Sequence, residues 1–544
     1  MFGQMQDSPL LVSQLIEHAA QFHPDQRIIT KTVEGHFHEY TYKDAAKRSK
    51  QLAQALVALG VQDGDVIGTL AWNTYRHFEC WYGISGMGGI LHTINPRLFP
   101  EQLDYIINHA EDKFLFIDTT FVPLLEALQS KLSKVKGYVI MTDEAHMPTT
   151  TLPNVLCYET LLAQQSGEYQ WPQLDERQAT SICYTSGTTG NPKGVVYSHR
   201  SSLLHSWGIT SLNVGEICSE TRVLPIVPMF HANAWGLVYA VAMMGAEVVF
   251  PGPHLDGASV CDMINRYKVD LSAAVPTVWT MLMQHLTQSG DTLESLNSVL
   301  IGGSAVPKAM IRSFEQDYGV EVWQAWGMTE MSPLGSLNKP RPQDALLSYE
   351  EQLNIKAKQG RPCFGVQMKI VNDDNQPLPH DGKAFGRLMV KGPWIVSQYF
   401  KAETSALDED GWFDTGDVAT IDETGNMQIT DRSKDVIKSG GEWISSIDLE
   451  NAAMGHDEVL EAAVIGVPHP KWEERPLLII VAKNPEQPPS AESVLAFLTD
   501  KVAKWWLPES VEFIDAIPHT ATGKINKVGL REQFKGYQFE GVSA

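Results

Sequence analysis

The chain has 544 residues, of which 42 are basic and 65 are acidic, and its formal net charge is −23. This length allows more than one domain and a large hydrophobic core. An acidic chain without a basic cluster argues against nucleic acid and anionic lipid as partners, because both require clustered Lys and Arg. Six scattered cysteines without a C-x-x-C pair favour reduced thiols, and no apolar stretch reaches the ~20 residues of a membrane span. We therefore expect a cytoplasmic protein without a stable membrane anchor.

Two amphipathic helices are predicted near the N-terminus, at residues 10–22 and 45–59. Strand-like apolar runs then alternate with helical patterns, as at residues 66–70 and 114–117. Such alternation predicts an α/β domain with a largely parallel sheet that is covered by helices. The polar segment 339–360 lacks strand periodicity and is predicted to be a surface insertion.

The pattern changes after about residue 385, where short strands and hairpins are predicted. A compact α+β region follows, with strands near residues 461–467 and 477–482 and a helix near 491–505. We place the domain boundary between Thr430 and Asp431. The prediction is a large N-terminal domain of residues 1–430 and a small C-terminal domain of residues 431–544.

Residues 184–194 read Tyr-Thr-Ser-Gly-Thr-Thr-Gly-Asn-Pro-Lys-Gly and lie between two apolar runs that suit strands. Glycine-rich turns bring backbone N–H groups close to an anion, and hydroxyls and a lysine add further donors. The pattern is not the common P-loop, because Pro192 and Gly194 stand where that motif has a glycine and a hydroxyl residue. We interpret this phosphate loop as a cradle for nucleotide phosphates, formed by Thr185, Ser186, Gly187, Thr188, Thr189, Gly190 and Lys193.

Further motifs follow in chain order. Residues 324–330 read Gln-Ala-Trp-Gly-Met-Thr-Glu, and residues 411–417 read Gly-Trp-Phe-Asp-Thr-Gly-Asp. A flat ring suits a purine, and a carboxylate can accept two hydroxyl groups or bind a hard cation. Residues 438–444 read Lys-Ser-Gly-Gly-Glu-Trp-Ile, and Lys524 follows a Thr-Gly pair.

The phosphate loop closely resembles the phosphate-binding signature of the adenylate-forming superfamily. That superfamily includes acyl-CoA synthetases, firefly-type luciferases and the adenylation domains of nonribosomal peptide synthetases. The other motifs match in the family's order along nearly the whole chain. The resemblance implies a large N-terminal domain, a small mobile C-terminal lid and a hinge at Asp431. It also implies Mg²⁺ as a cofactor and ATP and CoA as co-substrates.

The resemblance assigns roles in binding the nucleotide. Trp326 is expected to stack on adenine, and Asp417 is expected to accept the ribose hydroxyls. Glu330 and Thr185 are expected to bind Mg²⁺, and Thr329 is expected to contact the α-phosphate. Beyond the phosphate loop, the implied nucleotide-binding residues are Gly303, Gln324, Ala325, Trp326, Asp417, Arg432 and Lys434.

The resemblance also assigns roles in catalysis and in binding the acyl group and CoA. Lys524 is expected to reach the carboxylate and the α-phosphate, where an ammonium stabilises the transition state more than the ground state. Rotation about Asp431 would then replace Lys524 by residues 438–444, which would line the path of the CoA thiol. The implied catalytic residues are Lys524, Thr329, Glu330 and His231. The implied acyl- and CoA-binding residues are His231, Trp235, Gly327, Lys438, Gly440, Gly441, Glu442 and Trp443. His231 and Trp443 could instead be ordinary core residues.

Two positions bear on which acid is used. Amino-acid-activating relatives carry an aspartate where this chain has His231, which argues against an amino acid. Short-acid relatives carry a bulky residue where Gly327 stands, so a longer aliphatic carboxylic acid is expected. The overall match is closest to bacterial medium- and long-chain fatty acyl-CoA synthetases. The alternatives are a 3-methylthiopropionate–CoA ligase and a luciferase-like oxygenase of the acyl-adenylate. A homodimer is expected by analogy only.

Overall fold

The computed structural model describes residues 1, 3–185, 191–211, 217–440, 442–520 and 524–539, with only the backbone described at Glu442 and Trp443. These residues form two compact units. The first unit contains Met1–Leu300, Gly327–Leu334 and Pro393–Ala406, and the second contains Ile301–Trp326, Gly335–Gly392 and Leu407–Ala544. Compactness in one conformation does not test where a lid would rotate, so the domain boundary at Asp431 stays a prediction.

The N-terminal part of the chain, up to residue 301, alternates helices and strands. Its helices are α1 (Ser13–Phe22), α2 (Tyr42–Ala58), α3 (Tyr75–Gly86), α4 (Pro100–Ala110), α5 (Val122–Leu128), α6 (Tyr158–Ala163), α7 (His199–Ser211), α8 (Leu237–Met244), α9 (Gly257–Tyr267) and α10 (Pro276–Ser289). Its strands are β1 (Arg27–Lys31), β2 (Phe37–Thr41), β3 (Val66–Leu70), β4 (Ile90–Thr93), β5 (Phe114–Ile117), β6 (Gly137–Ile140), β7 (Val155–Cys157), β8 (Ala179–Tyr184), β9 (Gly194–Ser198), β10 (Arg222–Pro225), β11 (Glu247–Phe250), β12 (Leu271–Ala274) and β13 (Ser298–Ile301).

The remainder of the chain is richer in strands. Its helices are α11 (Lys308–Asp317), α12 (Tyr349–Lys356), α13 (Ser446–Ala453), α14 (Ala491–Leu498) and α15 (Lys527–Gln533). Its strands are β14 (Glu321–Gly327), β15 (Leu334–Asn338), β16 (Arg361–Pro362), β17 (Gln367–Val371), β18 (Phe385–Lys391), β19 (Phe413–Ile421), β20 (Met427–Arg432), β21 (Ile437–Ser439), β22 (Glu442–Ile444), β23 (Val459–His469), β24 (Glu473–Ala482) and β25 (Ser510–Phe513). No helix in the described part of the chain combines the length and apolarity that crossing a bilayer requires.

Two largely parallel sheets organise the first unit. One has the order β7-β6-β5-β3-β4-β8-β9, in which only β9 runs antiparallel to its neighbour. The other contains the run β12-β10-β11-β1-β2, in which only the β1–β2 pair is antiparallel. The predicted α/β class is therefore confirmed. The β8–β9 hairpin also places the phosphate loop between two strands, as predicted.

Two sheets organise the second unit. The strands β17-β18-β19-β20 form an antiparallel sheet. In the C-terminal region, β22-β21-β24-β23 form another sheet, and β25 runs parallel to β24. Successive residues of β24 belong to two hydrophobic clusters on opposite faces, one covered by α13 and α14 and the other by α15.

Three elements differ from the prediction, and local capping explains the first two. Helix α2 begins at Tyr42 because Thr41 and Asp44 form a reciprocal capping box, which extends the predicted helix towards the N-terminus. Ser348 and Glu351 form a second capping box, so the predicted insertion at 339–360 contains the helix α12. The helix predicted at 491–505 ends at Leu498, and a separate 3₁₀ turn covers Lys504–Trp506.

Candidate active site

The phosphate loop is closed at its base by two hydrogen bonds between Thr185 and Lys193. The Thr185 N–H donates to the Lys193 carbonyl over 2.9 Å, and the Lys193 N–H donates to the Thr185 hydroxyl over 3.1 Å. Gly194 then lies so close to its neighbours that an added Cβ would stand 3.0 Å from both Ile182 and Phe400. The loop residues Ser186, Gly187, Thr188, Thr189 and Gly190 lie outside the described residues.

The turn that carries Thr329 and Glu330 is fixed by two tyrosines of the same unit. Tyr197 donates its hydroxyl to the Thr329 carbonyl over 2.7 Å. Tyr399 donates its hydroxyl to Glu330 Oε1 over 2.9 Å, and the Lys193 ammonium lies 4.7 Å from the centre of the Tyr399 ring. Burial, together with the Glu330 carboxylate, raises the pKa of Tyr399, so the hydroxyl remains a donor. The structure thus brings together four predicted residues, Thr185, Lys193, Thr329 and Glu330, around Tyr399.

A second cluster of predicted residues lies in the second unit. The Trp326 indole N–H donates to Asp417 Oδ2 over 3.0 Å, and Arg432 Nε contacts Asp417 Oδ1 at 2.8 Å. The Asp417 side chain is 4% exposed, whereas Trp326 and Arg432 are half-buried. The orientation of the Asp417 carboxylate is therefore fixed, because one oxygen accepts from an indole N–H and the other pairs with a guanidinium.

The remaining predicted nucleotide residues differ in what their side chains do. Gln324 is buried, because its Oε1 accepts from the Val306 N–H at 2.8 Å and its Nε2 donates to the Ala357 carbonyl at 3.0 Å. Both polar ends of this side chain therefore hold backbone, and contact with a ligand would come from the Gln324 main chain. Gly303 and Ala325 are half-buried, and Lys434 is exposed.

The predicted acyl-pocket segment has an unusual backbone. His231 and Trp235 are half-buried, as is Gly327. Ala232, Asn233, Ala234 and Trp235 all have φ between 42° and 59°, and Gly236 continues the run before α8 begins. Each non-glycine residue in this left-handed conformation costs about 1–2 kcal/mol. Such strain concentrates at functional sites, where the surrounding structure holds it.

The predicted lid residues lie in the second unit. Lys524 is half-buried; its N–H donates to the Thr520 hydroxyl over 3.2 Å and its carbonyl accepts from the Thr520 N–H over 2.7 Å. Asp431 is 1% exposed and accepts from the backbone N–H groups of Ser446 and Arg432, each at 2.8 Å. Lys438 and Gly440 are exposed, whereas Gly441 and the side chains of Glu442 and Trp443 lie outside the described residues.

Comparison with known proteins identifies the family to which this chain belongs. Residues 16–400 match the family model of the AMP-binding enzyme, and residues 448–524 match that of the AMP-binding enzyme C-terminal domain. The chain belongs to the AMP-binding enzyme family. This AMP-binding enzyme is an acid–CoA ligase of the AMP-forming type, as the sequence predicted, and ATP and CoA are its co-substrates.

Two relatives and one solved structure match over nearly the whole AMP-binding enzyme. The 3-methylmercaptopropionyl-CoA ligase of Ruegeria lacuscaerulensis is 50% identical over 535 residues, covering 98% of this chain and 99% of that protein. The medium-chain-fatty-acid–CoA ligase of Ectopseudomonas oleovorans is 46% identical over 534 residues, covering 98% of each. The crystal structure of the anthranilate CoA ligase AuaEII in complex with anthranoyl-AMP has a TM-score of 0.86 at 26% identity, covering 98% of this chain and 99% of that one.

Sequence reasoning missed Tyr197 and Tyr399, which hold the Thr329–Glu330 turn of this AMP-binding enzyme. Tyr197 could have been found, because it lies three residues after Gly194 on the strand that leaves the phosphate loop. Tyr399 has no comparable signal, because its segment has no regular periodicity and joins the cluster only through tertiary contacts. His205 was also missed; it is buried and accepts from the Leu334 N–H at 3.0 Å.

Proposed function

We propose that this enzyme activates a medium- to long-chain fatty acid with ATP and then transfers the acyl group to CoA. The observation that carries the proposal is the cluster around Tyr399, in which the base of the phosphate loop and the Thr329–Glu330 turn share one aromatic side chain. The Trp326–Asp417–Arg432 cluster supports it, since a ring and a fixed carboxylate suit a nucleoside.

In the first step, a carboxylate oxygen of the acid attacks the α-phosphorus of ATP, and the bond from that phosphorus to pyrophosphate breaks. We assign the Thr329 hydroxyl to the α-phosphate and the Lys193 ammonium to the outer phosphates. Lys524 stabilises the negative charge that develops on the phosphorus in the transition state. The acid gains a good leaving group, because acyl-AMP is a mixed anhydride.

The nucleotide is held by groups that take no part in bond making. We assign the Trp326 ring to adenine, the Asp417 carboxylate to the ribose hydroxyls and Arg432 to the ribose or the phosphates. The Glu330 carboxylate and the Thr185 hydroxyl are hard oxygen donors, and this donor set fits Mg²⁺. A bound Mg²⁺ would offset the negative charge of the phosphates.

In the second step, the CoA thiolate attacks the acyl carbon, a C–S bond forms, and the C–O bond to AMP breaks. The proton of the thiol goes to solvent. We propose that rotation about Asp431 removes Lys524 and presents residues 438–444 to the pantetheine arm. His231, Trp235 and Gly327 are assigned to the acyl pocket.

A short thioether acid is the second candidate substrate. The relative with 50% identity is named for 3-methylmercaptopropionate, whereas the medium-chain ligase is 46% identical. A thioether sulfur replaces one methylene of an aliphatic chain without adding charge, so one apolar pocket suits both acids. The two candidates therefore differ in chain length and not in chemistry.

A panel of acids separates these candidates. Pyrophosphate release should be measured with and without CoA for straight-chain acids from propionate to palmitate and for 3-methylthiopropionate. We expect kcat/KM to peak at about eight to twelve carbons, since each added methylene in an apolar pocket contributes ~1–3 kcal/mol. A maximum at the thioether acid selects the second candidate. Light emission without CoA-dependent turnover selects the oxygenase, and no release with any acid contradicts all three.

Replacing Tyr399 by Phe tests the cluster that carries the proposal. The variant removes the hydroxyl that donates to Glu330, and a hydrogen bond to a charged group contributes about 1.5–3 kcal/mol. We expect ATP–pyrophosphate exchange to fall by about tenfold or more and to require more Mg²⁺. The matched control is Tyr349→Phe, which removes a hydroxyl 3.2 Å from Glu315 in the α11–α12 region. Equal effects of the two variants would contradict the special role of Tyr399.

We further propose that the enzyme acts in the cytoplasm as a homodimer. The six cysteines are free, which suits a reducing compartment. Light scattering of the purified chain tests the dimer, and fractionation of cells tests the compartment.

A further inference from the structure

Gly440, in the segment Lys438–Gly440, lies between two tryptophans of the C-terminal region. The Trp472 and Trp505 rings are 4.9 Å apart and meet at 88°, and a Cβ added to Gly440 would stand 3.2 Å from each ring. Gly440 has φ of +60°, a conformation that favours glycine, and its N–H donates to the Trp472 carbonyl over 2.9 Å. We call this arrangement of Trp472 and Trp505 around Gly440 the indole slot.

The residue before the slot is held just as firmly. Ser439 is fully buried; its carbonyl accepts from the Trp505 indole N–H at 3.3 Å, and its hydroxyl accepts from Arg475 Nη1 at 3.1 Å. Arg475 is 5% exposed, lies 4.7 Å from the Trp505 ring and pairs with Glu509 at 2.7 Å. The guanidinium therefore fixes both the ring that forms the slot and the backbone that enters it.

The slot brings together three separate stretches of chain. The first is Ser439–Gly440, the second runs from Trp472 into the start of β24 at Arg475, and the third is the 3₁₀ turn Lys504–Trp506, which contains Trp505. Their hydrogen bonds fall on the Ser439 carbonyl, the Ser439 hydroxyl and the Gly440 N–H, which belong to two consecutive residues. Because two of these three hydrogen bonds are made by main-chain atoms of Ser439 and Gly440, they fix the path of the backbone through the slot.

We propose that Trp472, Trp505 and Arg475 are positioning residues for the CoA-dependent step, because they hold Lys438–Gly440 in the backbone conformation that thioester formation uses. The proposal rests on the proposed function, which assigns residues 438–444 to the path of the CoA thiol. Misplacing a reacting group by about 1 Å can cost 100-fold in rate, so a segment that guides the thiol must be held. The adenylation step does not use this segment and should not depend on the slot.

The test measures the two half-reactions separately in the full-length enzyme. Trp505→Phe keeps an aromatic ring but removes the indole donor to Ser439, and Arg475→Lys keeps a positive charge but lacks the guanidinium fork that donates to Ser439 and pairs with Glu509. For both variants we expect CoA-dependent consumption of preformed acyl-AMP, in single turnover, to slow by about 10- to 100-fold. ATP–pyrophosphate exchange without CoA should stay within about twofold of the wild type. The loss should fall on the maximal rate more than on the KM for CoA.

Trp506→Phe is the matched control, because Trp506 lies in the same 3₁₀ turn and packs on the hydrophobic core of the C-terminal region. It should leave both half-reactions unchanged. The proposal is overturned if Trp505→Phe and Arg475→Lys leave the CoA step within twofold, or if they slow both half-reactions equally, as a purely structural role would. If the wild-type enzyme shows no ATP–pyrophosphate exchange with any acid, the proposed function has failed. That result differs from the two outcomes for the variants, which both require a wild-type enzyme that is active.

Discussion

Replacing Lys524 by Ala should reduce ATP–pyrophosphate exchange by about 100- to 1,000-fold. The reason is that a positioned cation stabilises charge that appears only in the transition state, and the loss of one such donor typically has this effect. The fold should survive, because the hydrogen bonds of Lys524 to Thr520 use backbone atoms that alanine retains. Exchange of labelled pyrophosphate into ATP, at saturating acid and without CoA, is the direct measurement.

Two comparisons make this result specific. Lys483→Ala removes an exposed lysine of the same region, whose N–H donates to the Glu458 carbonyl, and should leave exchange unchanged. Preformed acyl-AMP given to the Lys524→Ala variant should still react with CoA within a few-fold of the wild-type rate. Normal exchange by the variant would refute the catalytic assignment. Equal loss in both half-reactions would refute the alternation of Lys524 with residues 438–444.

Replacing Lys527 by Met should destabilise the C-terminal region by about 3–5 kcal/mol. Lys527 is 10% exposed; its ammonium lies 2.8 Å from Glu450 Oε1 and also donates to the Ser446 hydroxyl. Burial raises the pKa of Glu450 and of Asp431, and Lys527 offsets this effect at both carboxyl groups. The variant keeps the two buried carboxyl groups and removes the cation that offsets their burial. Urea denaturation measures the loss in the free energy of unfolding, and hydrogen exchange of the amides of β23 and β24 assigns that loss to the C-terminal region.

The effect of Lys527→Met should depend on pH in a defined direction. A carboxyl group whose folded pKa lies above its ordinary value binds protons more readily in the folded state, so its contribution to stability is lost as pH rises. The destabilisation should therefore be largest near pH 8 and should shrink as the pH falls towards 5. Lys535→Met is the control; its pair with Glu532 spans 2.9 Å, close to the 2.8 Å of the buried pair, but both side chains are more than 70% exposed, so its removal should cost less than about 1 kcal/mol. A similar loss in both variants would contradict the buried triad.

The sequence was sufficient for features that depend on local pattern. The phosphate loop between two strands could be predicted, because its glycines and hydroxyls lie between two apolar runs. The alternation of strands and helices likewise predicted parallel sheets. The Ser348–Glu351 capping box was also visible in the sequence and would have placed helix α12, although the polar composition of the segment suggested an insertion.

The sequence was insufficient wherever burial decides the role of a polar residue. Gln324 belongs to a binding motif, yet both ends of its side chain hold backbone in the interior. Lys527 resembles any lysine at the start of a helix, and only tertiary packing reveals its buried pair with Glu450 and its electrostatic interaction with Asp431. Tyr399 joins Glu330 and Lys193 across distances in sequence that no local period can encode.

The left-handed turn at Ala232–Gly236 has a consequence for how this enzyme can diversify. Only Gly, Asn and Asp enter that conformation at low cost, so Ala232, Ala234 and Trp235 already bear this cost, and the packing around the turn has to offset it. The turn next to His231, which we assign to the acyl pocket, therefore takes its shape from its surroundings. Shifts in acid preference during evolution can then arise at positions that face this turn, such as His205, which would touch a side chain added at Gly236.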